Sequence, residues 1–152
     1  MFYHFKVKKD ISGFWAECVE LKGCVTQGDS KEELMRNAYE ALNLFLEEPD
    51  NSDYEIQPPA KAVKGNNIVQ VVVDPTIAFA LQMKFIRQKN GLTQKEAALR
   101  LGMKNIYSYQ RLESARKANP NLSTICKIKR IFPELMIDDL ITDKDSKLKR
   151  HK

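Results

Sequence analysis

Between Leu92 and Glu113 the chain reads LTQKEAALRLGMKNIYSYQRLE, and most of the side chains able to do recognition chemistry lie in or beside it. Asn105 and Gln110 each carry an amide that donates and accepts at once, the pattern that pairs with N6 and N7 of adenine. Lys104 and Arg111 can donate to O6 and N7 of guanine. Lys95 adds an ammonium and Ser108 a hydroxyl, while the Tyr107 ring could stack, bond to a phosphate or simply pack. Gln94 stands where an amide could reach a phosphate beside a helix start. Arg116 and Lys117, just downstream, would meet phosphates whatever the base sequence. Chemistry of this kind is recognition of a polyanion, and it breaks no covalent bond.

The elements that must position these groups are two short helices. Thr93 as N-cap with Glu96 three residues on is a capping box, each side chain satisfying a backbone donor of the other residue. Ala97, Ala98 and Leu101 make a narrow apolar stripe, and Gly102 supplies a left-handed residue to end the helix. The next helix follows at once with Tyr109 and Leu112 inward. Two helices joined this tightly, the second polar and basic on one side, form a helix-turn-helix layout. Before it, Asp74 as N-cap and Pro75 at the first position open a helix with Ile77, Ala80, Leu81, Lys84 and Phe85 on its stripe. After it, Pro120-Asn121 opens another with Ile125, Ile128, Ile131 and Phe132, stopped by Pro133. Met136 to Ile141 reads as a last short helix.

The first half has a different periodicity. Tyr3, Phe5 and Val7 alternate with His4 and Lys6, which is strand spacing. Asp10-Ile11-Ser12-Gly13 reads as a hairpin turn, Phe14 to Val19 as a second strand and Gly23 to Thr26 as a third. Ser30 to Glu33 is a further capping box, leading into a helix with Leu34, Ala38, Ala41, Leu42 and Phe45 on one face. Pro49 should stop it, leaving Glu47 to Ala60 as a loop. The β-forming run Ile68 to Val73 is expected to return to the sheet. The predicted order is β-β-β-α-β followed by an all-α bundle, an α+β chain with domains at 1–74 and 75–142 and a charged, disordered tail at 143–152.

Charge divides along the same line. Residues 1–60 hold 6 Lys/Arg against 12 Asp/Glu, whereas residues 61–152 hold 19 against 8, for a net +5. The basic half suits a polyanion and the acidic half something basic. With 43% apolar and 30% charged residues, no apolar window of membrane-span length and no signal peptide, the expected compartment is the cytoplasm. Cys18, Cys24 and Cys126 form no C-x-x-C pair and are expected to be buried, reduced thiols. With only His4 and His151 besides, no metal and no cofactor are expected.

Thr93, Gln94, Glu96, Ala98, Leu101 and Gly102, with Arg111-Leu112-Glu113 and Asn119-Pro120-Asn121-Leu122, resemble the Xre/Cro-like helix-turn-helix repressors over about Pro75 to Ile141. Gly102 to Glu113 is one residue longer than the commonest spacing, which leaves the recognition register open by one position. The first half resembles the HicB-type antitoxins in Gly13-Phe14-Trp15-Ala16, in Leu21 through Ser30, and in the helix Glu32-Glu33-Leu34 to Phe45-Leu46. Val19-Glu20 departs from the Pro-Asp often found there.

The resemblance implies a partial ribonuclease H-like sheet domain that neutralises a HicA-like toxin, a small basic ribonuclease, and a second domain that represses its own operon. Trp15, Glu17 and Glu20 are the candidate toxin contacts, although a large aromatic on a strand such as Trp15 is expected first as a core residue. A homodimer, or a higher even oligomer, on palindromic operator DNA with half-sites roughly 34 Å apart is the expected DNA complex. An alternative is a repressor whose first domain senses a small ligand. A ribonuclease H-like nuclease would need converging carboxylates, for which the strands offer Asp10 and Glu17, so the chain is not expected to be an enzyme.

Overall fold

In a computed structural model the described residues, 1–47 and 54–141, form two compact units, one within Met1–Val73 and one within Asp74–Thr142. The helix stop expected at Pro49, His151 and the tail at 143–152 lie outside the described residues. Drawn at Val73, the division gives the first unit 8 Lys/Arg against 12 Asp/Glu, a milder excess than residues 1–60 suggest, because Lys61 and Lys64 belong to it.

The first unit is a four-stranded antiparallel sheet in the order β3-β2-β1-β4. Its strands are β1 (Phe2–Lys9), β2 (Phe14–Cys18), β3 (Val25–Gly28) and β4 (Ile68–Val72), with helix α1 (Lys31–Leu46) between β3 and β4. Register places Phe5 opposite Cys18 and Val69, and Val7 opposite Ala16. Residues that face each other across a ladder share a side of the sheet. Tyr3, Phe5, Ala16, Cys18 and Val71 therefore line one side, all buried together with Leu34, Ala38, Leu42 and Leu46 of α1. On the other side stand Lys6, Lys8, Trp15, Glu17, Val25 and Gln70.

Local chemistry shifted some boundaries. The third strand starts at Val25 because Gly23, at φ +92°, and Cys24 are taken up by a turn in which Cys24 N–H donates to Leu21 O. At the start of α1 the Ser30 hydroxyl accepts from Glu33 N–H, but the Glu33 carboxylate reaches back to Asp29 N–H at 2.7 Å instead of completing the expected box with Ser30.

The second unit holds α2 (Pro75–Lys89), α3 (Gln94–Arg100), α4 (Ile106–Leu112) and α5 (Leu122–Ile131). Asp74 precedes α2, but its carboxylate accepts no capping hydrogen bond from the first turn. To this core α2 gives Phe79, Ala80, Met83 and Ile86, which pack with Ala97, Ala98, Leu101, Tyr109, Leu112, Ile128, Phe132 and Leu135. Of the expected stripe Ile77, Ala80 and Leu81 are buried, whereas Lys84 and Phe85 are only partly so. The expected last helix is a single tight turn, Ile137–Asp139. Its approach is held instead by the buried Gln82 amide, which donates to Met136 O at 3.0 Å and accepts from Met136 N–H at 2.8 Å.

Of the cysteines, Cys18 and Cys24 are buried and burial pushes their thiols up, to about 12 and about 11. Cys126 is exposed, contrary to expectation, because it falls on the outer side of α5 while Ile128 takes the inner side.

Candidate nucleic-acid interface

The capping box of α3 is complete: Glu96 N–H donates to Thr93 Oγ1 at 3.1 Å and Thr93 N–H to Glu96 Oε2 at 3.4 Å. Ala97 and Ala98 are buried, so their small side chains let α4 lie close. Gly102, at φ +66°, turns the chain where a β-carbon would be strained. Asn105 then caps α4, its Oδ1 accepting from Tyr107 N–H at 2.8 Å.

A buried ionic knot orients α4. The carboxylate of Glu113, next to the end of α4, accepts from Arg87 Nε at 2.5 Å and Arg87 Nη2 at 3.1 Å. It also accepts from Tyr109 Oη at 2.7 Å and from Gln94 Nε2 at 3.1 Å. Arg87 Nη1 donates to Leu92 O at 3.0 Å, and Gln110 Nε2 donates to Gln94 Oε1 at 3.1 Å. Through one carboxylate, α2, α3 and α4 are joined by directional bonds. Burial, then the adjacent Glu113 charge, raises the Tyr109 phenol far above its ordinary range. The hydrogen bonds that Arg87 donates to Glu113 outweigh burial and raise the guanidinium as well. At neutral pH both remain protonated donors.

The expected base-reading residues therefore divide. Lys95, Lys104, Tyr107, Ser108, Arg111, Arg116 and Lys117 are exposed. Asn105 is exposed too, but its carbonyl oxygen is engaged as a cap. Gln94 and Gln110 are half-buried and bonded to each other, with the Gln94 amide nitrogen turned to Glu113 and not outward to a phosphate. Glu113 pairs with Arg87 and not with the nearby Arg111. Residues 74–141 hold 12 Lys/Arg against 6 Asp/Glu, and the knot neutralises one of each.

In the first unit the candidate contacts also separate. Trp15 is not a core residue: it is half-exposed on the sheet side opposite α1, under Lys8 Nζ at 4.4 Å from the ring centroid. Glu17 is on the same side, across from Lys6. Glu20 is turned inward with a side chain only 6% accessible, paired to buried His4 Nδ1 at 2.7 Å. Its carboxylate also accepts from the N–H groups of His4 at 3.1 Å and Ala60 at 3.2 Å, so it is a structural anchor and not a partner-facing group. Burial raises the Glu20 pKa, but the bonds from His4 and Ala60 outweigh it and hold the carboxyl below its ordinary value. Asp10 Oδ1 accepts from Ser12 N–H and Oγ within the hairpin turn. Among the described residues no group of His, Cys, Asp and Glu could hold a metal ion, and no helix is long and apolar enough to cross a membrane.

The chain is similar to a UPF0150 protein of Helicobacter pylori (strain J99), at 39% identity over 74 residues that cover 49% of this chain and 92% of that one. This chain belongs to the UPF0150 family. Residues 83–134 of this family member match a model described as a helix-turn-helix, of the Xre-like kind. That span runs from Met83 in α2 through the knot to Glu134, just past α5, and it supports a DNA-binding regulator.

Proposed function

We propose that this protein is an antitoxin of two parts: the first unit blocks a HicA-like ribonuclease toxin, and the helix-turn-helix binds operator DNA and represses transcription of the pair. The carrying observation is the outward side of α4, where Tyr107, Ser108 and Arg111 stand exposed beside Lys104 on a unit with a cationic balance. Positive charge steers the unit to phosphates and the outward side chains meet base edges. A second copy on a palindromic site supplies the remaining affinity.

The β-β-β-α-β order of the first unit supports reading it as a partial ribonuclease H-like sheet, and its proposed role is binding. The acidic excess of the unit as a whole favours a basic partner; Trp15 and Glu17 are candidate contacts on a sheet side that also carries Lys6 and Lys8. This assigns the protein to the cytoplasm, where toxin and promoter are both met.

The test has two arms. Co-expression with a HicA-like toxin should restore growth and yield a co-purifying pair. Gel shifts on the upstream DNA should show Lys104→Ala losing sequence discrimination. Lys117→Ala should reduce the slope of log K against log salt by about 0.9 for one lost phosphate contact. A chain that binds the promoter but rescues no toxin would point to a repressor sensing a small ligand. One that does neither ends the proposal.

A further inference from the structure

We infer that α4 reads a thymine methyl group with Tyr107 and a guanine with Arg111, on base pairs about two steps apart. The inference rests on the DNA-binding reading above and deepens it by naming the bases. It starts from which side chains the fold has already engaged. The Asn105 carbonyl oxygen caps α4, and Gln94 is bonded at both ends of its amide. Gln110 is held through its amide nitrogen by Gln94. The groups suited to adenine are thus tied into the unit, and the readout moves to what is left facing outward.

Geometry selects the pair. Tyr109, Leu112 and the knot residue Glu113 mark the inward side of α4. At about 100° per residue, Tyr107 and Arg111 fall opposite them, one turn apart on a single stripe. Tyr107 is 70% exposed, a large ring presented to solvent in the middle of a polar, cationic side. In the major groove the apolar element of a base-pair edge is the thymine C5-methyl, which a ring can cover, whereas a guanidinium matches O6 and N7 of guanine. Four residues of helix rise about 6 Å, against about 3.4 Å per base pair, which sets the separation at about two steps.

The full-length protein would be used to enrich a random duplex pool. Enriched duplexes should carry a T·A pair within about two steps of a G·C pair in each half-site. Replacing that thymidine by deoxyuridine removes only the methyl group and should weaken binding about fourfold, as expected for one buried methyl. Tyr107→Phe should keep this discrimination and Tyr107→Ala should abolish it, each with an unchanged melting temperature because the side chain is exposed. Thymidine and deoxyuridine duplexes binding the wild-type equally would overturn the inference. So would a Tyr107→Phe loss of affinity equal on both duplexes, which would place the hydroxyl on a phosphate. A pool that never enriches would instead remove the DNA-binding reading itself.

Discussion

Replacing Glu113 by alanine tests the ionic knot directly. The carboxylate is 6% accessible and receives four hydrogen bonds, from Arg87 Nε and Nη2, Tyr109 Oη and Gln94 Nε2. Removing one partner of a buried ion pair costs about 3–5 kcal/mol, because the other charge is left uncompensated. The lower end applies here, since Arg87 is 16% accessible, keeps its bond to Leu92 O, and sits beside a half-buried Gln94 that can turn to water. A loss of about 3 kcal/mol lowers the melting temperature of a unit this size by roughly 12–24 °C, at 4–8 °C per kcal/mol. The distinguishing result is non-additivity. Arg87→Met with Glu113→Leu removes both charges, and its main cost is the Tyr109 hydroxyl left without an acceptor, about 1–3 kcal/mol. Urea unfolding followed by circular dichroism at 222 nm, where α2 to α5 contribute strongly, should rank the double variant above Glu113→Ala. Should Glu113→Ala cost under about 1 kcal/mol, or the two single losses simply add, the knot is not what holds these helices.

Three other outcomes are expected. Glu20 has a folded pKa below its unfolded value near 4.5, so the unfolded chain binds more protons between those two values. Its stabilisation is complete above about 4.5 and is lost as pH falls through the lower folded pKa; Glu20→Gln should flatten that acid limb, read by fluorescence of Trp15. Gly28→Ala would place a β-carbon 2.5 Å from Leu34 N and 2.8 Å from Leu34 Cα. These are backbone atoms that cannot step aside, so a cost of about 3 kcal/mol or more is expected in thermal melts of the first unit. Gly102→Ala meets only the Lys127 Nζ at 3.3 Å; its cost is the left-handed backbone, about 1–2 kcal/mol, read by circular dichroism.

The local signals in the chain were informative wherever a residue acts on its neighbours. Thr93 with Glu96, Gly102, and the alternation through Phe5 and Val7 each express an effect reaching four residues or fewer, and each appears in the structure. Contacts made at a distance were not legible. Arg87 and Glu113 are 26 residues apart, and nothing in the periodicity of α2 marks Arg87 as the partner. Glu20, assigned outward from its charge, is turned inward by His4, a residue 16 positions away whose alternation had placed it on the open side. Gln82 likewise meets Met136 across 54 residues. The α2 stripe was right at Ile77, Ala80 and Leu81 and wrong at Lys84 and Phe85: with Ile77 through Met83 all buried, no single apolar side stands out in the sequence.

The knot also bears on why a small helical unit would keep a buried charge where an apolar pair would pack. Helices of seven residues such as α3 and α4 are not stable alone, and apolar contact holds them without fixing their rotation, since burial is non-directional. Base readout needs rotation fixed, because a turn of one residue, about 100°, would carry Arg111 out of the groove. Four directional bonds to Glu113 from three helices supply that constraint. The double variant Arg87→Met, Glu113→Leu therefore separates stability from orientation. It should fold better than Glu113→Ala yet discriminate operator from random DNA less well than the wild type, with its salt dependence unchanged. Equal discrimination in the two proteins would show that packing alone sets the angle of α4.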